Sequence, residues 1–134
     1  DRDREAGFVE ELCIAWQCEA RKLPIRYKLD YTLIQEGIIR AFLEVKIRSY
    51  AKAHFDTYMI SMAKVLAAQE YSAFAGVASL LAVRWDDEDG FIALHKMKDF
   101  HLGFGGRGDR GDSQDMEPVV LIPIQHFRRI RVQR

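Results

Sequence analysis

Apolar positions along the chain follow two periods, and the switches between them outline the elements. In "EAGFVEELCIAWQCEARK", Val9, Leu12, Cys13, Trp16 and Ala20 recur at helical spacing, while Glu10, Glu11, Gln17 and Arg21 fall off the stripe. The pattern predicts an amphipathic helix that ends before Pro24. The next stretch, "IRYKLDYTLIQ", alternates strictly: Ile25, Tyr27, Leu29, Tyr31 and Leu33 against Arg26, Lys28, Asp30, Thr32 and Ile34. That predicts a half-buried strand. After "QEG", the stretch "IIRAFLEVKI" alternates again, with Ile39, Ala41, Leu43, Val45 and Ile47 apolar and Arg40, Glu44 and Lys46 between them.

Joined as a hairpin, these strands have a restricted register. Opposed residues of an antiparallel pair point to one face, so odd positions must oppose odd ones for both apolar sides to reach the core. A two-residue loop is thereby excluded. A three-residue loop, Gln35-Glu36-Gly37, sets Asp30 opposite Phe42 with Glu44 diagonal to it. A five-residue loop sets Asp30 opposite Glu44 directly. In both registers Asp30, Glu44 and Lys46 share one face of adjacent strands.

Ser49 is placed to cap a helix through "YAKAHFDTYMISMAKVLAAQEY", in which Phe55, Met62, Leu66 and Gln69 keep helical spacing. "VASLLAVRW" is apolar on both faces, as a central strand is. "DDEDG" turns it into a short strand, "FIALHK". "GFGGRGDRGDSQD" reads as a loop. "PVVLIPIQHF" reads as a strand near an edge, interrupted by Pro123. The order predicts an α/β (α+β) fold: a mixed central sheet flanked by helices, with extra strands at the C-terminal end. At 134 residues the chain reads as one domain, 1–134.

Composition adds limits. Apolar residues are 49% and charged residues 30%, a soluble globular balance. No apolar run approaches the roughly 18 residues of a membrane span, and no secretory signal is visible. The abrupt start, "DRDREAGF", leaves room for an upstream piece. Cys13 and Cys18 fit no metal spacing and no disulfide framework, so a reducing, cytoplasmic setting is expected. Formal net charge is zero, yet it is unevenly spread. Residues 21–52 hold eight basic and three acidic side chains, and the tail after residue 117 holds four arginines. Such blocks can track phosphates; solvated strand faces are the plainer explanation.

The charged pair inside "FLEVK" asks for a use, because charges within a strand cost free energy unless solvated, paired or functional. Aspartate on one strand and Glu-x-Lys on the next suit metal-assisted phosphodiester hydrolysis. Asp30, Glu44 and the carbonyl of Val45 make an oxygen set for Mg²⁺ or Mn²⁺, which lowers the pKa of a bound water. Lys46, two residues on, falls on the same side of its strand as Glu44 and can orient that water.

"LD" at 29–30 and "EVK" at 44–46, after one helix and before another, resemble the PD-(D/E)XK nuclease superfamily. The resemblance spans about the first 85 residues and includes its resolvase-like and virus-type replication-repair branches. It implies a restriction-endonuclease-like core, order α-β-β-(β)-α-β, and a metal-dependent DNA endonuclease, including structure-selective ones acting on branches or flaps. It assigns Asp30, Glu44 and Lys46 as catalytic. "GFVE" resembles the resolvase-like first helix, which makes Glu10 the helical metal acid and Glu11 the second choice. Arg26, Lys28, Arg40, Arg48, Lys52, Arg128 and Arg129 are the expected DNA contacts. The small size suits a phage enzyme acting in a host cytoplasm, and a homodimer fits the habits of many relatives.

The chain departs from the pattern in three places. Leucine replaces the proline before Asp30. Only one hairpin precedes Glu-x-Lys where three strands are usual. The second helix offers Tyr58, Ser61 and Lys64 in place of the virus-type glutamine, and nothing is carried across there.

Each reading has a plainer rival. Glu44 and Lys46 could form a solvated charge ladder with Lys28. "WDDEDG" lacks the later glutamate of a calcium loop and is better a hairpin turn. The two Arg-Gly-Asp tripeptides in the 103–115 loop could serve a protein-interaction module. His54, His95, His101 and His126 are too scattered for zinc. The main alternative function is an inactive nuclease-fold protein that binds nucleic acid or assists assembly.

Overall fold

The computed structural model describes residues 2–106 and 116–131. Helix α1 (Arg2–Trp16) leads into strands β1 (Glu19–Lys22), β2 (Tyr31–Gln35) and β3 (Ile38–Ile47). Strand β4 (Thr57–Ser61) runs into helix α2 (Met62–Ala75), followed by β5 (Ala78–Arg84) and β6 (Asp89–Ala93). Strands β7 (His101–Gly106), β8 (Met116–Pro123) and β9 (Arg128–Ile130) complete it. A six-stranded mixed sheet has the order β1-β2-β3-β5-β6-β9, and a three-stranded antiparallel sheet the order β4-β8-β7. Among the described residues only the central pair, β3 and β5, is parallel. The expected mixed sheet flanked by helices is present. No helix among the described residues is long and apolar enough to cross a membrane.

The first helix is shorter than its periodicity predicts. Gln17 takes a left-handed conformation (φ 55°), ending α1, and residues 19–22 pair with β2 instead. Tertiary pairing overrides helical propensity here. With β2 and β3 this makes three strands, Glu-x-Lys lying on the third. Residues 25–30, expected as strand, are turn and irregular chain.

The hairpin turn departs from expectation in an instructive way. Gln35 pairs with Ile38 across the two-residue loop Glu36-Gly37, whose φ angles of 54° and 76° suit a tight hairpin. Parity is restored by a bulge: Ile34 pairs with Ile39, but Leu33 pairs with Ala41, leaving Arg40 over. From there the pairing follows the register of the five-residue loop as far as Tyr31–Leu43, one residue short of Asp30.

Ser49 caps nothing. Thr57–Ser61 alternates exposed and buried residues as a strand, and Ser61 caps α2, its hydroxyl accepting from the Ala63 N–H at 3.2 Å. Strand β8 is the middle of the small sheet rather than an edge, with Pro123 at its end. Gly103–Gly106, expected as loop, belong to β7, while residues 107–115 lie outside the described residues.

The large sheet separates two apolar clusters. On one side α1 packs Phe8, Val9 and Leu12 against Leu43, Val45 and Ala82. On the other, Val65 of α2 joins Leu29, Leu81, Val83, Trp85 and Tyr58. Alternation along β3 therefore turns Leu43 and Val45 toward α1 and Glu44 toward the α2 side.

Candidate active site

Asp30, just before β2, is pinned by β3. Its N–H donates to the Leu43 carbonyl at 3.0 Å, and its Oδ2 accepts from the Val45 N–H at 3.2 Å. The carboxylate thus replaces the carbonyl that a longer β2 would have offered β3. A strand residue directs its N–H and C=O to the same side, so the Val45 carbonyl opens toward Asp30 as well.

Glu44 is completely buried. Its Oε2 lies 2.8 Å from Lys64 Nζ and 3.7 Å from Lys46 Nζ. Lys22 Nζ lies 3.8 Å from Asp30 Oδ1. Two carboxylates therefore meet three ammonium groups. Lys64 also donates to the Lys28 carbonyl at 2.8 Å. Its approach to Glu44 is close but misaligned: neither carboxylate oxygen has a well-directed hydrogen bond, so the contact acts as an ion pair.

Burial, more than any other influence, raises the Glu44 pKa to about 7, and the negative charge of Asp30 adds to the rise. The ammonium groups of Lys64 and Lys46 oppose it. The acid is poised near neutrality, where a small electrostatic change alters its charge.

Oε2 is held by the two ammonium groups, but a buried carboxylate whose Oε1 has no partner is costly unless something satisfies it. A divalent ion suits that need. Among the described residues no three His, Cys, Asp or Glu side chains converge. The available oxygen set is then Asp30, Glu44, the Val45 carbonyl and water, which matches the habit of Mg²⁺ to use one or two carboxylates and retain waters.

The α1 acids stand elsewhere. Glu10 is exposed and lines a hollow with Cys13 and Glu19. Glu11 pairs with Arg84 at 2.7 Å, and Arg84 also pairs with Asp89 at 2.9 Å. Instead, Glu5 lines the cleft that contains Asp30.

The expected basic contacts divide. Arg26 and Lys28 are exposed on the segment leading to Asp30. Arg40 lines a hollow with Trp16 and Phe91. Arg48 donates to the Tyr58 hydroxyl at 3.0 Å and lies over that ring. Lys52 pairs with Glu88 at 3.0 Å. Arg128 and Arg129, exposed on β9, sit at the sheet edge opposite β1.

Lys22 and Lys64 are the residues that sequence reading left unassigned. With the helix expected from Ser49, the sequence carried no signal for Lys64; the structure puts it in the first turn of α2, where the helix dipole disfavours a cation. Such a lysine is better explained by a partner outside the helix.

The family described as "Phage putative PDDEXK endonuclease" matches residues 1–130. No curated protein matches. Among solved structures, the chain is similar to Hjc, a Holliday junction resolvase from the archaeal hyperthermophile Archaeoglobus fulgidus. The TM-score is 0.60 at 13% identity, over 95% of this chain and 92% of that one. At that identity the likeness speaks for the fold.

Proposed function

The chain belongs to the family of phage PDDEXK endonucleases, and from that membership we propose a metal-dependent deoxyribonuclease, one domain over residues 1–134, working in a host cytoplasm. The observation that carries the reading is the fully buried Glu44 carboxylate, its Oε1 without a partner and its Oε2 flanked by two ammonium groups, beside Asp30. Asp30, Glu44 and the Val45 carbonyl would hold the divalent ion, Mg²⁺ or Mn²⁺. Bound there, it would supply Lewis-acid stabilisation of the phosphate and a more acidic water.

The chain's own groups divide the remaining work. Lys46, partly exposed beside Glu44, orients the attacking water and offsets charge that develops on the phosphate. Lys64 holds the Glu44 carboxylate in place from above. Lys22 does the same for Asp30. Glu5, rather than Glu10, is the α1 acid in reach of the cleft. Arg26 and Lys28 grip phosphates next to the scissile bond. The fold it shares with a Holliday junction resolvase supports a preference for branched DNA.

Mn²⁺ binding, followed by electron paramagnetic resonance, tests the reading. Wild type should bind the ion, and Glu44→Gln and Asp30→Asn should each lose it while remaining folded. Equal binding by all three proteins would count against the assignment, and no binding by wild type would favour the inactive nucleic-acid binder.

A further inference from the structure

The segment between β1 and β2 presents an apolar side chain where the fold has no use for one. Tyr27 N–H donates to the Pro24 carbonyl at 3.0 Å, closing a four-residue turn with Ile25 and Arg26 at its tip. Turn tips favour glycine, asparagine, aspartate, serine or proline. Ile25 is nevertheless 102% exposed, touching nothing that would hold it.

One exposed isoleucine is ordinary, but three further observations coincide here. First, the turn is braced from below. Leu23 N–H donates to the Asp30 carbonyl at 2.8 Å, Lys28 N–H to the Tyr71 hydroxyl at 3.2 Å, and Lys64 to the Lys28 carbonyl. Second, Tyr27 is 44% exposed, with its ring edge-on to Tyr71 at 6.2 Å and Tyr71 tilted against Phe42 at 5.2 Å. That leaves a supported aromatic surface facing outward. Third, Ile25 and Tyr27 line the same cleft of about 670 Å³ as Asp30, Lys22 and Lys64. Arg26 and Lys28 flank them, both exposed.

An apolar tip, an aromatic platform and flanking cations, beside two carboxylates, match nucleic acid whose bases have left the stack. Apolar wedges enter weakened base steps, and tyrosines accept an unstacked base. We propose that the Pro24–Lys28 turn is a wedge for DNA at an interrupted stack, with Ile25 entering the open step, Tyr27 stacking on the freed base, and Arg26 and Lys28 on the adjoining phosphates. The inference rests on the nuclease reading for its choice of DNA and sharpens the substrate class. That class is DNA whose stacking breaks at the scissile position, in preference to continuous duplex.

The test uses the full chain in chelator, so that no cleavage is required. The probes are a three-way junction carrying 2-aminopurine at the branch and a continuous duplex of the same sequence. Wild type should prefer the junction and raise the 2-aminopurine fluorescence. Ile25→Ser and Tyr27→Ala should each abolish the rise and reduce the preference about tenfold, with duplex affinity and protein melting temperature unchanged. The proposal is overturned if the variants retain both rise and preference, if wild type binds the two DNAs equally, or if the variants lose affinity for both alike. Cleavage with added Mg²⁺ is scored separately, so a junction-specific rise without cleavage would sink the nuclease reading and leave the wedge standing.

Discussion

Lys64 Nζ sits 2.8 Å from Glu44 Oε2, joining the first turn of α2 to the middle of β3 across the candidate site. A lysine at that position opposes the helix dipole, so the contact is held by the site and not by the helix. Replacing it with methionine should raise the Glu44 pKa further, by roughly one unit or more, because a nearby cation favours the charged carboxylate. The pH–rate profile should then move its acid limb upward by the same amount. An unmoved limb would detach Lys64 from Glu44.

Glu44 also makes stability depend on pH in an unusual direction. Its pKa in the folded chain is about 7 against an ordinary 4.5, so between those values the folded state holds a proton that the unfolded state has released. Without a divalent ion, stability should therefore fall as pH rises through that window, by up to about 3 kcal/mol. Activity should rise over the same range, because the ion needs an ionised Glu44. Glu44→Gln should flatten the stability slope and remove activity. Denaturant melts between pH 5 and pH 8 would reveal either sign.

The positions of Glu5, Glu10 and Glu11 give three separable outcomes. Glu10→Gln should change neither activity nor stability. Glu11→Gln should keep the site and lower stability by only about 1 kcal/mol, since the pair is partly exposed and Arg84 keeps Asp89. Glu5→Gln should weaken metal binding with little effect on folding. Calorimetric metal titration beside thermal melts distinguishes the three.

Part of the candidate cluster's geometry was legible before the fold. Glu44 and Lys46 fall on one face of β3 because strand alternation is local and obeys a period of two. Asp30, just before β2, is instead brought beside them by the bond from the Val45 N–H. The central place of Ala78–Arg84 in the sheet was visible in its two-sided apolarity, though not its parallel pairing with β3. What escaped depended on distant partners. Residues 19–22 look helical until β2 is present to pair with them, and the bulge at Arg40 is unreadable from alternation alone. Helix α2 begins at Met62 because Ser61 caps it, while the apparent helix from Ser49 is a short turn and a strand. Lys64 could be linked to Glu44 only once α2 was laid across β3.

Basic residues also separate by structural position. Arg26→Ala and Lys28→Ala should each reduce the salt dependence of DNA binding by about one in log–log slope. Arg48→Ala should leave that slope alone and lower stability instead, since its guanidinium serves the Tyr58 hydroxyl and ring. Filter binding between low and moderate salt measures the slopes.

The most direct test of the central claim is cleavage of single-stranded, duplex, flap and junction DNAs with Mg²⁺ or Mn²⁺, wild type beside Lys46→Ala. The account predicts metal-dependent cleavage by wild type and a loss of about 10²–10³-fold in the variant, with DNA binding and folding retained. Cleavage that Lys46→Ala leaves untouched, or no cleavage of any DNA by folded wild type, would contradict it.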